Sequence, residues 1–276
     1  ELFKAIADAL GRPLGDDYRE FLVEIPSVAR MIAATLQNTA NPTMLEAGYK
    51  ANVIPKEASA VIDGRFLPGH EDALNRTIAE IVGPDIKISI DANQVWDVNQ
   101  AIEWIKGIGD VNLHWVEEPT SPDDVLGHAT IAKAIAPVRV ATGEHVMNRI
   151  MFKQLVQAKS FSFMQIDASR VAGMNENIAM LLMAAKAGIP VCPHAGGVGL
   201  CEMVQHVAMF DFVAVGGKHP DRIVEFVDHL HEHFVVPTNI KNAHYMPPLE
   251  PGAGAEMFSK SISDFTFPTG KEWVNS

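Results

Sequence analysis

Cysteine is scarce in this chain of 276 residues: Cys192 and Cys201 are the only two. Two thiols in one short stretch argue against a disulfide framework, and a reducing cytoplasm is the expected compartment. Positive charge is also in short supply. Twenty-two Lys and Arg stand against 34 Asp and Glu, a net charge of -12, which disfavours nucleic acid or an anionic membrane as the main partner. No apolar run approaches membrane-spanning length. The opening ELFKAIADAL lacks a basic region followed by an apolar core, so neither a spanning helix nor a signal peptide is expected. The chain starts without Met, as a fragment or a processed product would. Apolar residues are plentiful: 47% of the chain is hydrophobic, ample core for one large or two small domains.

The acids are not scattered. Three apolar runs each end on a carboxylate: Ile88-Ser89-Ile90-Asp91, Trp115-Val116-Glu117 and Val138-Arg139-Val140-Ala141-Thr142-Gly143-Glu144. Asp91 to Glu117 is 26 residues and Glu117 to Glu144 is 27, about one strand, loop and helix of an α/β barrel. A parallel strand buried on both faces reads as a continuous apolar run, so its first carboxylate marks where it leaves the core. Three unrelated loop acids are the plain alternative. Three acids in register at neighbouring strand ends would instead converge at a barrel mouth, where a hard divalent cation such as Mg²⁺ relieves their repulsion. The beat continues through Asp167, His194 and Glu225, with an amphipathic helix expected from Asn175 to Lys186. Six strand-and-helix units are therefore expected over residues 87–276.

Asp91-Ala92-Asn93, Glu117-Glu118-Pro119, Gly143-Glu144, Ile166-Asp167 and Pro193-His194 together resemble the active-site signature of the enolase superfamily, mandelate racemase branch. The strings NENIAMLLMAAKAGIPVCPHAGGVGLCEMVQH and VDHLHEHF resemble the L-fuconate dehydratase family of acid-sugar dehydratases. The resemblance implies an incomplete (β/α)-barrel and Mg²⁺ on Asp91, Glu117 and Glu144. It implies a His194–Asp167 proton-transfer dyad, and Glu225 and Asn93 on the substrate side. Magnesium would stabilise the enediolate formed when a proton leaves the carbon beside the sugar acid's carboxylate. An acid that accepts one imidazole N–H fixes the tautomer and raises the basicity of the other nitrogen. The family also carries a Lys-x-Lys pair on the preceding strand. Residues 60–66 read AVIDGRF instead, so the lysine side of the chemistry is missing and weak turnover is expected. The alternating His229, His231 and His233 are assigned structural or surface roles. Gly196-Gly197-Val198-Gly199 lacks the spacing of a dinucleotide loop and is assigned tight backbone passage beside the site.

Residues 1–86 keep a different rhythm. A helix is expected over Asp17–Leu36, then strands over Leu45–Ile54 and Ala58–Phe66 joined by a turn at Pro55-Lys56-Glu57, then a helix from His70 to Val82. Gly48–Pro55 and Ala60–Gly69 resemble the lid hairpin of di-zinc metallopeptidases of the desuccinylase and aminoacylase type, which would place Asn52 and Arg65 against substrate. No His-x-Asp pair or Glu-Glu stands in this stretch, so that family's zinc ligands cannot be placed. The expected architecture is a small α+β segment, 1–86, joined near 84–88 to the barrel segment, 87–276. The expected partner is a small sugar acid, with homo-oligomerisation left open. Two other readings stand beside a dehydratase: a di-zinc amidohydrolase fragment, and an inactive remnant that binds a cation or a partner.

Overall fold

In the computed structural model, the described residues are 39–47, 58–65, 71–217, 221–227 and 230–274, of which 39–47, 58–65 and 71–74 are described by backbone alone. The chain divides into two compact units, Glu1–Gly83 and Pro84–Ser276.

In the first unit, β1 (Thr39–Ala47) pairs antiparallel with β2 (Ala58–Arg65). The orientation is as expected but the register is not. A turn at 55–57 would set Ile54 against Ala58, whereas Ala58 pairs with Ala47, so residues 48–57 all lie between the paired ends. The ladder slips between Pro42 and Met44, where proline has no N–H to contribute. Helix α1 (Glu71–Val82) follows. It ends at Gly83, whose φ of +79° and N–H to Ala79 O (3.1 Å) form a left-handed glycine cap. The expected helix at 17–36 and Asn52 lie outside the described residues.

The second unit alternates β3 (Ile88–Asp91), α2 (Val98–Gly107), β4 (Leu113–Glu117), α3 (Val125–Ala134), β5 (Arg139–Thr142), α4 (Arg149–Ala158), β6 (Phe163–Met164), α5 (Met174–Ala187) and α6 (Leu200–Phe210). The four strands form one parallel sheet in chain order, the architecture of an α/β barrel left open. Side-chain caps restart helices soon after strand ends. Asp97 and Gln100 make a reciprocal capping box on α2, and Asn148 accepts from Ile150 and Met151 N–H on α4. Inside the sheet, Trp115, Ala141, Phe163 and Cys192 pack as one layer drawn from successive strands, as barrel interiors are filled.

Of the six expected strand-and-helix units, four strands form a ladder among the described residues. The fifth run touches β6 through single parallel bridges, Met164 to Val191 and Asp167 to His194. The sixth, 222–227, meets the fifth through Glu225 N–H to Pro193 O at 3.3 Å. Pro190 and Pro193 explain the shortfall, because neither has an N–H to offer a ladder. Beyond α6 the chain returns as a strap with a 3₁₀ turn (His231–His233), the pair β7 (Ile240–Lys241) and β8 (His244–Tyr245), and helices α7 (Ser259–Phe265) and α8 (Lys271–Val274). No helix among the described residues is long and apolar enough to cross a membrane.

Candidate active site

The strand ends gather the expected residues at one rim. Asp91 and Glu117 are direct register partners, and Glu117 faces Ala141, three residues before Glu144. Asp167 and His194 bridge across the next pair of segments. Gly143 makes the turn that delivers Glu144. Its φ is +136°, and an added Cβ would lie 2.7 Å from both Gln165 O and the Phe152 ring, so no other residue fits.

His194 and Asp167 form a buried hydrogen-bonded pair. His194 Nδ1 lies 2.8 Å from Asp167 Oδ2, and both residues are buried. Gly196 N–H donates to His194 Nε2 at 3.2 Å, which makes Nε2 the acceptor and puts the ring hydrogen on Nδ1, toward Asp167. Glycine is needed there as well, since a Cβ on Gly196 would sit 2.7 Å from Nε2. The other Asp167 oxygen accepts from Ser169 N–H (2.7 Å), Ser169 O–H (2.7 Å) and Arg170 N–H (2.9 Å). Burial opposes the Asp167 charge, yet these bonds and His194 hold its carboxyl well below the usual range. Burial likewise pulls His194 down, but the Asp167 bond and the carboxylates of Glu144 and Glu225 leave it raised overall. His194 Nε2 looks onto Glu144 Oε2 at 3.5 Å and Glu225 Oε2 at 3.9 Å.

The proposed ligands are carboxyls pressed toward protonation. Burial pushes Glu117 up to about 8, with Asp91 and Glu225 adding to it and hydrogen bonds from Gln165 and Trp115 opposing. Asp91 is raised by burial and by Glu118 and Glu225, and Glu144 by burial and by Glu118. All-oxygen carboxylates that hold protons this tightly suit a hard divalent cation. Their present side-chain directions differ from a finished coordination sphere. Asp91 turns back to Asn93, accepting from its N–H (2.8 Å) and its Nδ2 (3.2 Å), and Glu117 accepts from Trp115 Nε1 (3.2 Å). Asn93 therefore orients Asp91. Among the described residues, the set whose donor atoms lie within 4.8 Å of one another is Glu118, Glu144 and His145.

Of that set Glu144 was expected as a ligand; His145 and the place of Glu118 beside it were not read from the sequence. His145 Nδ1 lies 2.7 Å from Glu118 Oε1 and 3.2 Å from Glu144 Oε1, and Gln94 Nε2 donates to Glu118 Oε2 at 3.0 Å. Arg170 reaches Glu144 through its backbone oxygen (3.1 Å) and carboxylate (3.3 Å). Asn93, Gln94 and Glu118 hold positive φ of 48°, 67° and 39°, strain concentrated at the mouth. Of the alternating histidines, His231 pairs with Glu202 and His233 with Ser261; His229 lies outside the described residues.

Residues 44–261 match the pattern of the family described as enolase C-terminal domain-like. The chain belongs to the enolase superfamily. It is 49% identical to the solved human mitochondrial enolase superfamily member 1, with a TM-score of 0.72 over 74% of this chain and 47% of that one. It is 47% identical to L-galactonate dehydratase of Hypocrea jecorina, over 68% of this chain and 42% of the relative. L-talarate dehydratase of Polaromonas sp. JS666, solved with Mg and L-glucarate, is 25% identical with a TM-score of 0.58, over 68% of this chain and 51% of that one. The chain spans less than half the length of curated relatives it matches, 44% and 42% in two cases.

Proposed function

We propose that residues 87–276 are the catalytic part of a Mg²⁺-dependent carbon–oxygen lyase that dehydrates a sugar acid of the L-fuconate kind. The observation that carries this reading is the buried His194–Asp167 pair, whose Nε2 faces Glu144 and Glu225. Asp91, Glu117 and Glu144 would hold the ion, and when bound it supplies positive charge against the substrate carboxylate. Asp167 fixes the His194 tautomer and stabilises the imidazolium. His194 Nε2 takes the proton that leaves the carbon beside the substrate carboxylate and passes it to the departing hydroxyl, which leaves as water. Glu225 hydrogen-bonds a substrate hydroxyl. The free, buried Cys192 and Cys201 suit a reducing compartment, and the cytoplasm is proposed.

Residues 1–86 are proposed as a separate lid-like segment of metallopeptidase type, a reading supported by the strings at 48–55 and 60–69 and by the antiparallel β1–β2 pair. They bring no lysine pair, and no Lys-x-Lys occurs anywhere in the chain. General acid–base loss lowers rates by about 10²–10⁴-fold, so the 276-residue chain should bind Mg²⁺ yet release little 2-keto-3-deoxy acid in a carbonyl-specific assay. Magnesium at about 100 times its dissociation constant stabilises a folded state by roughly 2.7 kcal/mol. A rise of several degrees in thermal midpoint is expected with Mg²⁺, and its loss in Glu144→Gln. No shift in the unaltered chain would sink the reading.

A further inference from the structure

Glu225 faces His194 from a segment with little support of its own. Residues 222–227 carry no ladder, and the segment's backbone bond to the fifth run, Glu225 N–H to Pro193 O, is long at 3.3 Å. A single bond of this kind leaves a strand end free to move. Yet Glu225 Oε2 accepts from Ala195 N–H at 2.5 Å, a close contact that needs a fixed carboxylate. Something else must hold the segment.

The returning strap and the first turn of α6 meet on it. Tyr245, on β8, donates its O–H to Glu225 O at 2.6 Å. Cys201 Sγ lies 3.7 Å from Ala195 O and 3.6 Å from Val227 O, touching both sides of the junction. His231 Nε2 reaches Val227 O at 2.9 Å while its Nδ1 lies 2.6 Å from Glu202 Oε1. Both ring nitrogens face acceptors, so both bonds form only when the His231–Glu202 pair shares two hydrogens. Glu202 is fully buried and also accepts from Thr238 N–H at 3.2 Å, which ties the strap to α6. Phe226 stacks on the His231 ring with centroids 5.5 Å apart. Gly199 lets the strap come this close, since a Cβ there would meet the Phe234 ring at 2.8 Å.

We infer that Tyr245 and the Glu202–His231 pair are positioning residues that aim the Glu225 carboxylate at the site, so that the strap completes the active-site wall. This rests on the proposed substrate-facing role of Glu225. Neither Tyr245 nor Glu202 touches the dyad; each acts through the backbone of 225–227.

The Ala195 amide reports the geometry directly. In the 276-residue chain labelled with ¹⁵N-alanine, its proton should resonate far downfield and exchange slowly. Tyr245→Phe removes one hydroxyl and keeps the ring. It should move the Ala195 resonance upfield and speed its exchange about tenfold, the equivalent of one hydrogen bond. Glu202→Gln should do the same, and Glu225→Gln gives the full effect of losing the carboxylate. The buried amides of Ala101 and Ala141 should stay put, whereas a general loosening would move all three together. An Ala195 amide that Glu225→Gln shifts but Tyr245→Phe leaves unmoved would overturn the inference. So would an amide that Glu225→Gln itself leaves unmoved. Should Glu202→Gln not fold, Tyr245→Phe decides alone. Absence of a Mg²⁺ stabilisation would count against the catalytic reading without touching the Ala195 result.

Discussion

The two ends of strands β3 to β5 carry similar charged groups and treat them in opposite ways. At the floor, where the strands begin, Lys87 and Arg139 both pair with Asp221 at 3.3 and 3.0 Å, and Arg139 donates to His114 O at 3.2 Å. Burial opposes the Asp221 charge, but bonds from Arg139 and Lys87 hold its carboxyl below the usual range. At the mouth, Asp91, Glu117 and Glu144 are all raised. At the floor the charges are paired with one another, whereas at the mouth Asp91, Glu117 and Glu144 stand together as carboxyls raised toward protonation, a set that a cation would relieve. Barrels put stability at the first end and chemistry at the second. A cavity of about 640 Å³ opens at the floor between Ile105, Leu113, Ile135 and Arg139.

The largest expected effect tests whether the floor layer is structural. Phe163 is wholly buried, packs on Trp115 with centroids 4.7 Å apart, and lies under the Arg139 guanidinium at 4.5 Å. Phe163→Ala should lower stability by about 3–5 kcal/mol in urea denaturation. In whatever fraction still folds, the Mg²⁺ increment should persist, since no mouth acid is altered. A loss of the increment at unchanged stability would erase the distinction between the two ends.

Neutralising one acid at each end sharpens the comparison, because the signs should differ. Glu117→Gln should stabilise the metal-free protein at pH 7 by up to roughly 3 kcal/mol, since a carboxyl raised from 4.5 to about 8 must take up a proton on folding, and should abolish the Mg²⁺ increment. Asp221→Asn removes the partner of two partly exposed cations and should destabilise by about 1 kcal/mol, with the Mg²⁺ increment intact. Denaturation in EDTA and then in Mg²⁺ reads both. Matching signs for the two variants would mean that mouth and floor are not distinguished by charge.

Much of the mouth was legible because a buried parallel strand announces its end with its first acid: Asp91 and Glu117 close β3 and β4, and Glu144 and Asp167 follow the ends of β5 and β6 by two and three residues. The partners around them were not. His145 and Arg170 earn their contacts from loop directions, and the positive φ of Gln94 and Glu118 has no signal in residues that ordinarily avoid it. Gly143 and Gly196 were visible as letters, but their necessity comes from Phe152, Gln165 and His194 Nε2 lying where a Cβ would go. Pro190 and Pro193 could have been read as shortening the fifth strand. The β1–β2 register could not, because ten residues separate Ala47 from Ala58 and no turn residue fixes their pairing.

The smallest expected effect is a pH dependence at the floor. His114 is pushed down to about 4, first by burial and then by the Arg139 and Lys87 charges, with Asp221 opposing. Above about pH 6.5, the ordinary histidine value, His114 is neutral in both folded and unfolded chains and contributes no slope. Between 6.5 and about 4 the unfolded chain takes up a proton that the folded chain refuses, so stability falls across that window and levels off below it. Arg139 Nη2 faces His114 Nδ1, and since guanidinium can only donate, the neutral ring must accept; protonation breaks that contact as well. His114→Gln should flatten this part of the stability profile relative to the unaltered chain, with Mg²⁺ stabilisation at pH 7 unchanged. Parallel profiles for the two proteins between pH 6.5 and 4 would show that His114 titrates as freely in the fold as in water, and that the floor's charges are less tightly spent than their distances imply.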